Sequence, residues 1–188
     1  MPRCPVARRP AALVPACGAT EMPAEVTLSS RAAALPVTCR PARLGDVPAM
    51  HGLINQFAEQ KLMLSRPMGE LYENVRDFLI AEAEPGGLVG CVAVHIDTAT
   101  IGELKALAVA EAAHGRGVGR ALVEAGLSAA ANLGLERLFC LTYQADFFAK
   151  LGFVRVDRSR LPTKVWSECV RCHRFLDCDE VAMWRDVR

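Results

Sequence analysis

Apolar positions along the chain follow two patterns, one with a period near 3.6 residues and one of short extended runs. The helical period predicts helices over about 46–60, 68–75, 118–132 and 145–151. Asp46 is the predicted N-cap of the first of these helices, and Gly134 is the predicted glycine end of the third. The extended runs predict strands, bounded by Pro, Gly and Asp turns, at about 37–40, 78–84, 87–96, 101–110, 137–143, from 152 onward, and 180–185. This order, strand-rich first and then alternating, predicts an α+β (α/β/α-like) domain with a mixed sheet flanked by helices.

The first 36 residues lack either pattern. Seven of the eleven prolines fall before residue 44, where six arginines face only Glu21 and Glu25. Such a composition cannot bury enough apolar surface to offset its ordering entropy. We therefore predict a disordered N-terminal extension over 1–36, with an over-extended start codon or a targeting or regulatory tail as alternatives. The folded domain is expected to be 37–188, including a cysteine-rich segment from about 161.

Composition narrows the classes of function. The 188 residues carry 22 Lys and Arg against 21 Asp and Glu, a net charge of +1, which disfavours a nucleic-acid partner. No apolar run approaches the length of a membrane span, and the run 11–16 is too short, and broken by Pro15, for a signal peptide. The chain has eight cysteines, but a secreted disulfide scaffold would be shorter and rich in loops, whereas this chain has long helical and strand patterns. We expect a soluble cytoplasmic protein.

The most informative stretch is a glycine-rich loop between a predicted strand and a predicted helix. Gly115, Gly117 and Gly119 alternate there, directly before the helix. Glycines let a backbone approach a ligand closely, and the free amides of a helix start favour an anion. Neither the Walker pattern nor the dinucleotide fingerprint fits, because Arg120-Ala121 stands where they require Lys-Ser/Thr or glycine. The loop predicts a phosphate site of another kind.

Two segments identify the family that this loop resembles. His114-Gly-Arg-Gly-Val-Gly119 resembles the Gln/Arg-x-x-Gly-x-Gly/Ala motif of the GNAT acetyltransferases, and Phe147-Phe-Ala-Lys-Leu-Gly-Phe153 resembles their Phe-Tyr-x-Lys-Leu-Gly-Phe segment. The resemblance covers about 37–155. It implies the GNAT fold, whose mostly antiparallel central sheet is splayed at the acetyl-CoA site.

The same resemblance implies a set of residues that bind acetyl-CoA as co-substrate. Backbone groups of the strand end would pair with the pantetheine arm, and amides of the loop would hold the pyrophosphate. His114 stands at the usual Gln/Arg position, so one side-chain contact would be lost or taken over by imidazole. The predicted acetyl-CoA residues are Leu107, Ala108, Val109, His114, Gly115, Arg116, Gly117, Val118, Gly119 and Arg120.

The catalytic base implied by the resemblance is Glu103, four residues before the strand end. The alternative is a solvated strand carboxylate without a catalytic role. The tyrosine that serves as general acid in the family aligns with Phe148, which cannot donate a proton. Tyr143 or Thr142 could replace it, or the leaving thiolate could take its proton from the substrate, so the acid stays unassigned.

A closer resemblance concerns the acceptor. The segments 61–66, 141–153 and 161–172 resemble N-acetylglutamate synthases, in particular short single-domain members. This implies L-glutamate as acceptor and the first reaction of arginine biosynthesis. Glutamate carries two carboxylates, for which Arg66, Lys105 and Lys164 are the candidate anchors. Alternative acceptors are another amino acid or a protein amine, and the alternative to an enzyme is a non-catalytic metal- or thiol-binding module. The sequence does not exclude that the protein forms a homodimer.

A cysteine cluster lies near the C-terminus. Cys169, Cys172 and Cys178, with His173, supply ligand types suited to tetrahedral zinc. Because a second Cys-x-x-Cys pair is absent from the sequence, three interpretations stay open: a structural zinc site, free or redox-active thiols, and ordinary packing.

Overall fold

A computed structural model of the chain describes residues 33–84, 86–162, 166–172, 174 and 177–187, with 166 and 167 as backbone only. Most of the predicted N-terminal extension, together with Lys164 and His173, therefore lies outside the described residues. The last part of that extension is described: the amide of Leu35 donates to the carbonyl of Arg116 at 2.9 Å.

A seven-stranded mixed sheet forms the centre of the fold, in the order β1-β2-β3-β4-β5-β7-β6. Neighbouring described strands run antiparallel except for the pair β4–β5. The sheet thus confirms the predicted mixed, mostly antiparallel arrangement. Its strands are β1 Val37–Pro41, β2 Phe78–Ala83, β3 Leu88–Ile96, β4 Ile101–Val109, β5 Arg137–Thr142, β6 Val154–Arg155 and β7 Val181–Asp186.

The sheet opens between β4 and β5. In its described part these two strands pair only over Ile101–Glu103 and Arg137–Phe139, so the second half of β4 has no β5 partner on that side. The register between β3 and β4 also shifts here, and Ala106 takes the left-handed conformation with φ 51°. A bulge of this kind bends a strand and redirects its side chains. The resulting opening leaves backbone groups of β4 available to a ligand.

Helices cover both faces of the sheet. They are α1 Val47–Glu59, α2 Met68–Glu73, α3 Val118–Asn132, α4 Ala145–Ala149 and α5 Trp166–Cys169. Successive side chains of a strand point to opposite faces, and β3 shows this directly. Its Val92 and Val94 pack in the core that includes α3, whereas Cys91 and Ala93 pack in the core under α1 and α2.

Local signals at the helix ends had mixed outcomes. Gly134 has φ 82° and its amide donates to the carbonyl of Ala131 at 3.0 Å, which confirms the predicted glycine end of α3. Asp46 precedes α1 as predicted, but its side chain makes no capping bond to that helix. It accepts instead from the amide of Arg43 at 2.7 Å and pairs with Arg40.

Candidate active site

The glycine loop begins α3 with its backbone open to solvent. Gly115 and Gly117 have φ values of 69° and 89°, a region that costs residues with a Cβ about 1–2 kcal/mol. A Cβ at either position would meet no described atom within 4 Å. Gly117 is the residue before the first turn of α3, whose leading amides have no partner within the helix. This geometry leaves room for an anion at the helix start.

Gly119 has a different role from the other two glycines. A Cβ at Gly119 would lie 3.3 Å from Cζ of Phe147, so the residue lets α4 approach the first turn of α3. Phe147 in turn packs edge-to-face on Phe148 at a centroid distance of 5.1 Å. The third glycine therefore serves packing beside the loop, a distinction that the sequence spacing alone does not make.

Two loop side chains make contacts away from the first turn of α3. The ring of His114 stacks on Phe57 at 6.1 Å, and its Nε2 lies 2.7 Å from the carbonyl oxygen of Val109. Arg116 donates from Nε to the carbonyl of Ala33 at 3.2 Å. Arg116 does not line the adjoining cleft, whereas the other described residues of the loop do. His114 thus braces the strand end, and Arg120 is the loop cation that faces the cleft.

A cleft of about 740 Å³ connects this loop to the opening of the sheet. Its volume lies in the range usual for ligand sites. It brings together the predicted strand end, most of the loop, the predicted base and two of the three predicted anchors. The predicted site residues along it are Arg66, Glu103, Lys105, Leu107, Ala108, Val109, His114, Gly115, Gly117, Val118, Gly119 and Arg120. Lys164 lies outside the described residues.

A charged cluster lies at the end of the cleft that is opposite the glycine loop. Glu103 and Lys105 alternate on β4 and so share a face, with Lys105 Nζ 3.5 Å from Glu103 Oε2. Lys105 Nζ also lies 2.6 Å from Oε1 of Glu168, and Arg66 Nη2 lies 2.9 Å from its Oε2. Arg66 is only 8% exposed and also pairs with Glu70. The carboxylate of Glu168 thus bridges two of the three predicted anchors, Arg66 and Lys105.

The two cleft carboxylates differ in acidity. Burial raises the pKa of Glu103 to about 7, with Lys105 opposing the rise and Glu168 adding to it. Burial also acts to raise the pKa of Glu168, but Arg66 and Lys105 outweigh it and hold that pKa at about 2. A carboxyl with a pKa near neutral pH can accept and release a proton at physiological pH, as a general base must. Glu168 stays ionised.

The residue at the position of the usual acid is a core residue. Phe148 is 4% exposed and packs on Phe147 and Phe153. Tyr143 lines the cleft, and burial raises the pKa of its hydroxyl to about 12. Thr142 lies next to it, and its Oγ1 accepts from the amide of Gln144 at 2.8 Å. Both hydroxyls are therefore candidates for the general acid, which stays unassigned.

The three C-terminal cysteines line the cleft, whereas His173, the fourth candidate zinc ligand, lies outside the described residues. No group of three or more His, Cys, Asp or Glu in the described residues could hold a metal ion. The thiol of Cys178 instead lies 3.2 Å from Nη2 of Arg158, and a guanidinium beside the sulfur opposes a second cation. Cys169 packs against the core formed by β5 and β7. The zinc prediction has no support from this part of the chain.

Sequence reasoning missed Glu168, Glu70 and Arg171. Arg171 Nη1 lies 3.0 Å from Glu70 Oε2, which links the turn after α5 to α2. Glu168 is 102 residues from Arg66 and 63 from Lys105 along the chain. No local pattern pairs them; the one available signal was that Glu168 lies inside the 161–172 segment that carries the resemblance.

Comparisons with known proteins agree with this geometry. The family model of the acetyltransferase (GNAT) domain matches residues 74–155. Uncharacterized N-acetyltransferase CT2212 of Chlorobaculum tepidum is 34% identical over 147 residues, covering 78% of this chain and 94% of that protein. The amino-acid acetyltransferase of Mycobacterium tuberculosis is 36% identical over 157 residues, covering 78% and 90%.

A solved structure extends the agreement to the whole fold. N-acetylglutamate synthase from Neisseria gonorrhoeae, complexed with coenzyme A and N-acetyl-glutamate, superposes with a TM-score of 0.74 at 29% identity, covering 81% of this chain and 35% of that one. With the splayed sheet and the glycine loop, these matches define the class of protein. The chain belongs to the GNAT acetyltransferase family. It is an N-acetyltransferase, as the resemblance implied.

None of the helices that the structure describes has the length and apolar character needed to span a membrane.

Proposed function

We propose that L-glutamate is the acceptor of this acetyl-CoA-dependent amino-acid N-acetyltransferase, which would make its reaction the first of arginine biosynthesis. The observation that carries the proposal is the charged cluster at the end of the cleft opposite the glycine loop, where Arg66 and Lys105 lie beside a carboxyl with a raised pKa. The names of the relatives from M. tuberculosis and N. gonorrhoeae support it.

The cleft suits acetyl-CoA, which supplies the acetyl group as a thioester. The open backbone of Gly115 and Gly117 and the first amides of α3 would hold the pyrophosphate, with Arg120 beside it. The β4 groups at Leu107–Val109 face the opening of the sheet and would pair with the pantetheine arm. A β4 amide would polarise the thioester carbonyl, for which no special side chain is needed.

Glu103 would act as the general base. An amino acid reaches neutral solution as an ammonium, which has no lone pair to attack a carbonyl. Glu103, with a pKa of about 7, can take that proton directly or through a water. Lys105, 3.5 Å away, favours the ionised form of the base. The departing thiolate would take its proton from the substrate nitrogen, since Phe148 offers none.

Arg66 would bind an acceptor carboxylate. Its guanidinium is buried, and buried cations in proteins pair with anions. Replacing Arg66 by alanine should raise the KM for glutamate roughly 30- to 150-fold, about 2–3 kcal/mol, and leave the KM for acetyl-CoA within about threefold. Steady-state kinetics with each substrate varied in turn measures both values.

Arg171 is the matched control for this variant. It pairs with the same Glu70, but its side chain is 52% exposed, so Arg171→Ala should change either KM by less than about threefold. Equal losses for both substrates in the Arg66→Ala variant would contradict a role in acceptor binding.

The acceptor is tested directly by turnover. We expect the purified protein, given acetyl-CoA and each of the twenty amino acids separately, to release free CoA thiol with the highest kcat/KM for L-glutamate. Mass spectrometry of the product should find N-acetylglutamate. Selective turnover of a different amino acid would overturn the assignment.

A further inference from the structure

Glu168 lies where the proposed function requires an acceptor carboxylate. Its two oxygens contact two different cations, Oε1 with Lys105 Nζ at 2.6 Å and Oε2 with Arg66 Nη2 at 2.9 Å. A single acceptor carboxylate bridging the same two anchors would use the same two donors. Glu168 and such an acceptor therefore cannot occupy the cation pair together.

Within the described part of this cluster, each cation already contacts a carboxylate. Among described residues, Arg66 is shared by Glu70 and Glu168, Lys105 by Glu168 and Glu103, and Arg171 contacts Glu70. Three cations thus face three carboxylates. A dicarboxylate entering this arrangement unchanged would meet repulsion from Glu168 and Glu70. Binding requires that one internal carboxylate gives way.

Glu168 is the carboxylate best placed to move. It comes from α5, which spans only the four residues Trp166–Cys169, and its side chain is 27% exposed. Glu70 lies within α2 and is held by two arginines, whereas Glu103 lies inside a central strand with its side chain 14% exposed. A change of side-chain rotamer at Glu168 would free both anchors without disturbing the packing of Cys169 beside it.

We infer that Glu168 is an internal competitor for the acceptor carboxylate and determines acceptor affinity. This inference rests on the proposed function for the position of the acceptor. An acceptor enters by replacing the two charge-assisted contacts of Glu168 with its own carboxylate. Amines without a carboxylate cannot make this exchange, so Glu168 also selects against them.

The inference predicts the sign of an affinity change. Glutarate serves as the probe because it has the two carboxylates of glutamate but no amine, so it binds without being acetylated. Glu168→Gln should bind glutarate roughly tenfold more tightly than the wild type by calorimetry, and should lower the acceptor KM by a similar factor. The KM for acetyl-CoA should be unchanged.

A merely structural role predicts the opposite sign. If Glu168 served only to hold Arg66 and Lys105 in place, its loss would weaken glutarate binding and raise the acceptor KM. Glu168→Ala, which removes the competing group altogether, should also bind glutarate more tightly than the wild type. Glu73→Gln, which removes an exposed carboxylate of the neighbouring helix α2, is the matched control and should leave glutarate binding unchanged.

The outcomes separate this inference from the proposed function. Tighter glutarate binding by Glu168→Gln supports the inference even if the wild type acetylates an amino acid other than glutamate. Unchanged or weaker binding by both Glu168 variants, in a protein that does acetylate glutamate, overturns the inference and leaves the proposed function standing.

Discussion

Replacing Glu103 by glutamine should lower kcat roughly 10²- to 10⁴-fold at pH 7.5, the loss expected when a general base is removed. The amide has nearly the shape of the carboxyl but cannot accept the proton of the substrate ammonium. Glu103 combines a side chain that is only 14% exposed with a pKa that burial raises to about 7. The affinity for acetyl-CoA, measured by calorimetry, should stay within about threefold.

The pH dependence follows from the same group. The base works in its ionised form, so kcat/KM of the wild type should rise as the pH increases through about 7 and then level off, because burial raises the pKa of Glu103 to that value. The Glu103→Gln variant should lose this rise. A variant that keeps both the wild-type kcat and the rise near pH 7 would show that another group accepts the proton.

Glu136→Gln is the matched control. Glu136 is an exposed carboxylate directly before β5, and it does not line the cleft. The same change of charge at this position should leave kcat within about twofold, since exposed carboxylates contribute little to distant sites.

Replacing Gly117 by valine should weaken acetyl-CoA binding at least about 100-fold by calorimetry, because the side chain would enter the space beside the first amides of α3 where phosphate must approach the backbone. The open surroundings of Gly117 mean that this loss does not come from a clash within the protein.

Gly134→Val separates this effect from backbone strain. Gly134 has φ 82°, close to the 89° of Gly117, and likewise no described atom within 4 Å of an added Cβ. It ends α3 at the other end from the loop. Both variants should lose about 1–2 kcal/mol of unfolding free energy through the left-handed conformation, measured by denaturant titration. Only Gly117→Val should lose acetyl-CoA affinity; an equal loss in both would locate the pyrophosphate elsewhere.

Local sequence patterns accounted for most elements of the fold, but not for the short helix α5. The helix predicted at 118–132 has those bounds in the structure, and the strands predicted at 78–84, 87–96 and 101–110 agree to within a residue at each end. Such elements follow from hydrophobic periodicity and from glycine at helix ends, which act over a few residues. The pairing of Glu103 with Lys105 was predictable for the same reason, because residues two apart on a strand share a face.

Contacts between distant segments decided the chemistry of the site. Burial of Glu103 by the surrounding elements raises its pKa, and the strand that carries it shows no sign of this in its own sequence. The ring of His114 lies against Phe57 and the carbonyl of Val109, although its place in the motif suggested a phosphate contact. Gly119, one of three similar glycines, packs under Phe147.

The sequence by itself determined all helices but α5, the strands, the glycine loop before α3 and the family, since each depends on residues that are neighbours along the chain. Only the tertiary structure brought Glu168 onto Arg66 and Lys105 across separations of 102 and 63 residues. Charge pairing over such distances depends on how the sheet opens and where α5 lies against it. These features arise from the packing of the whole domain, which no local pattern records.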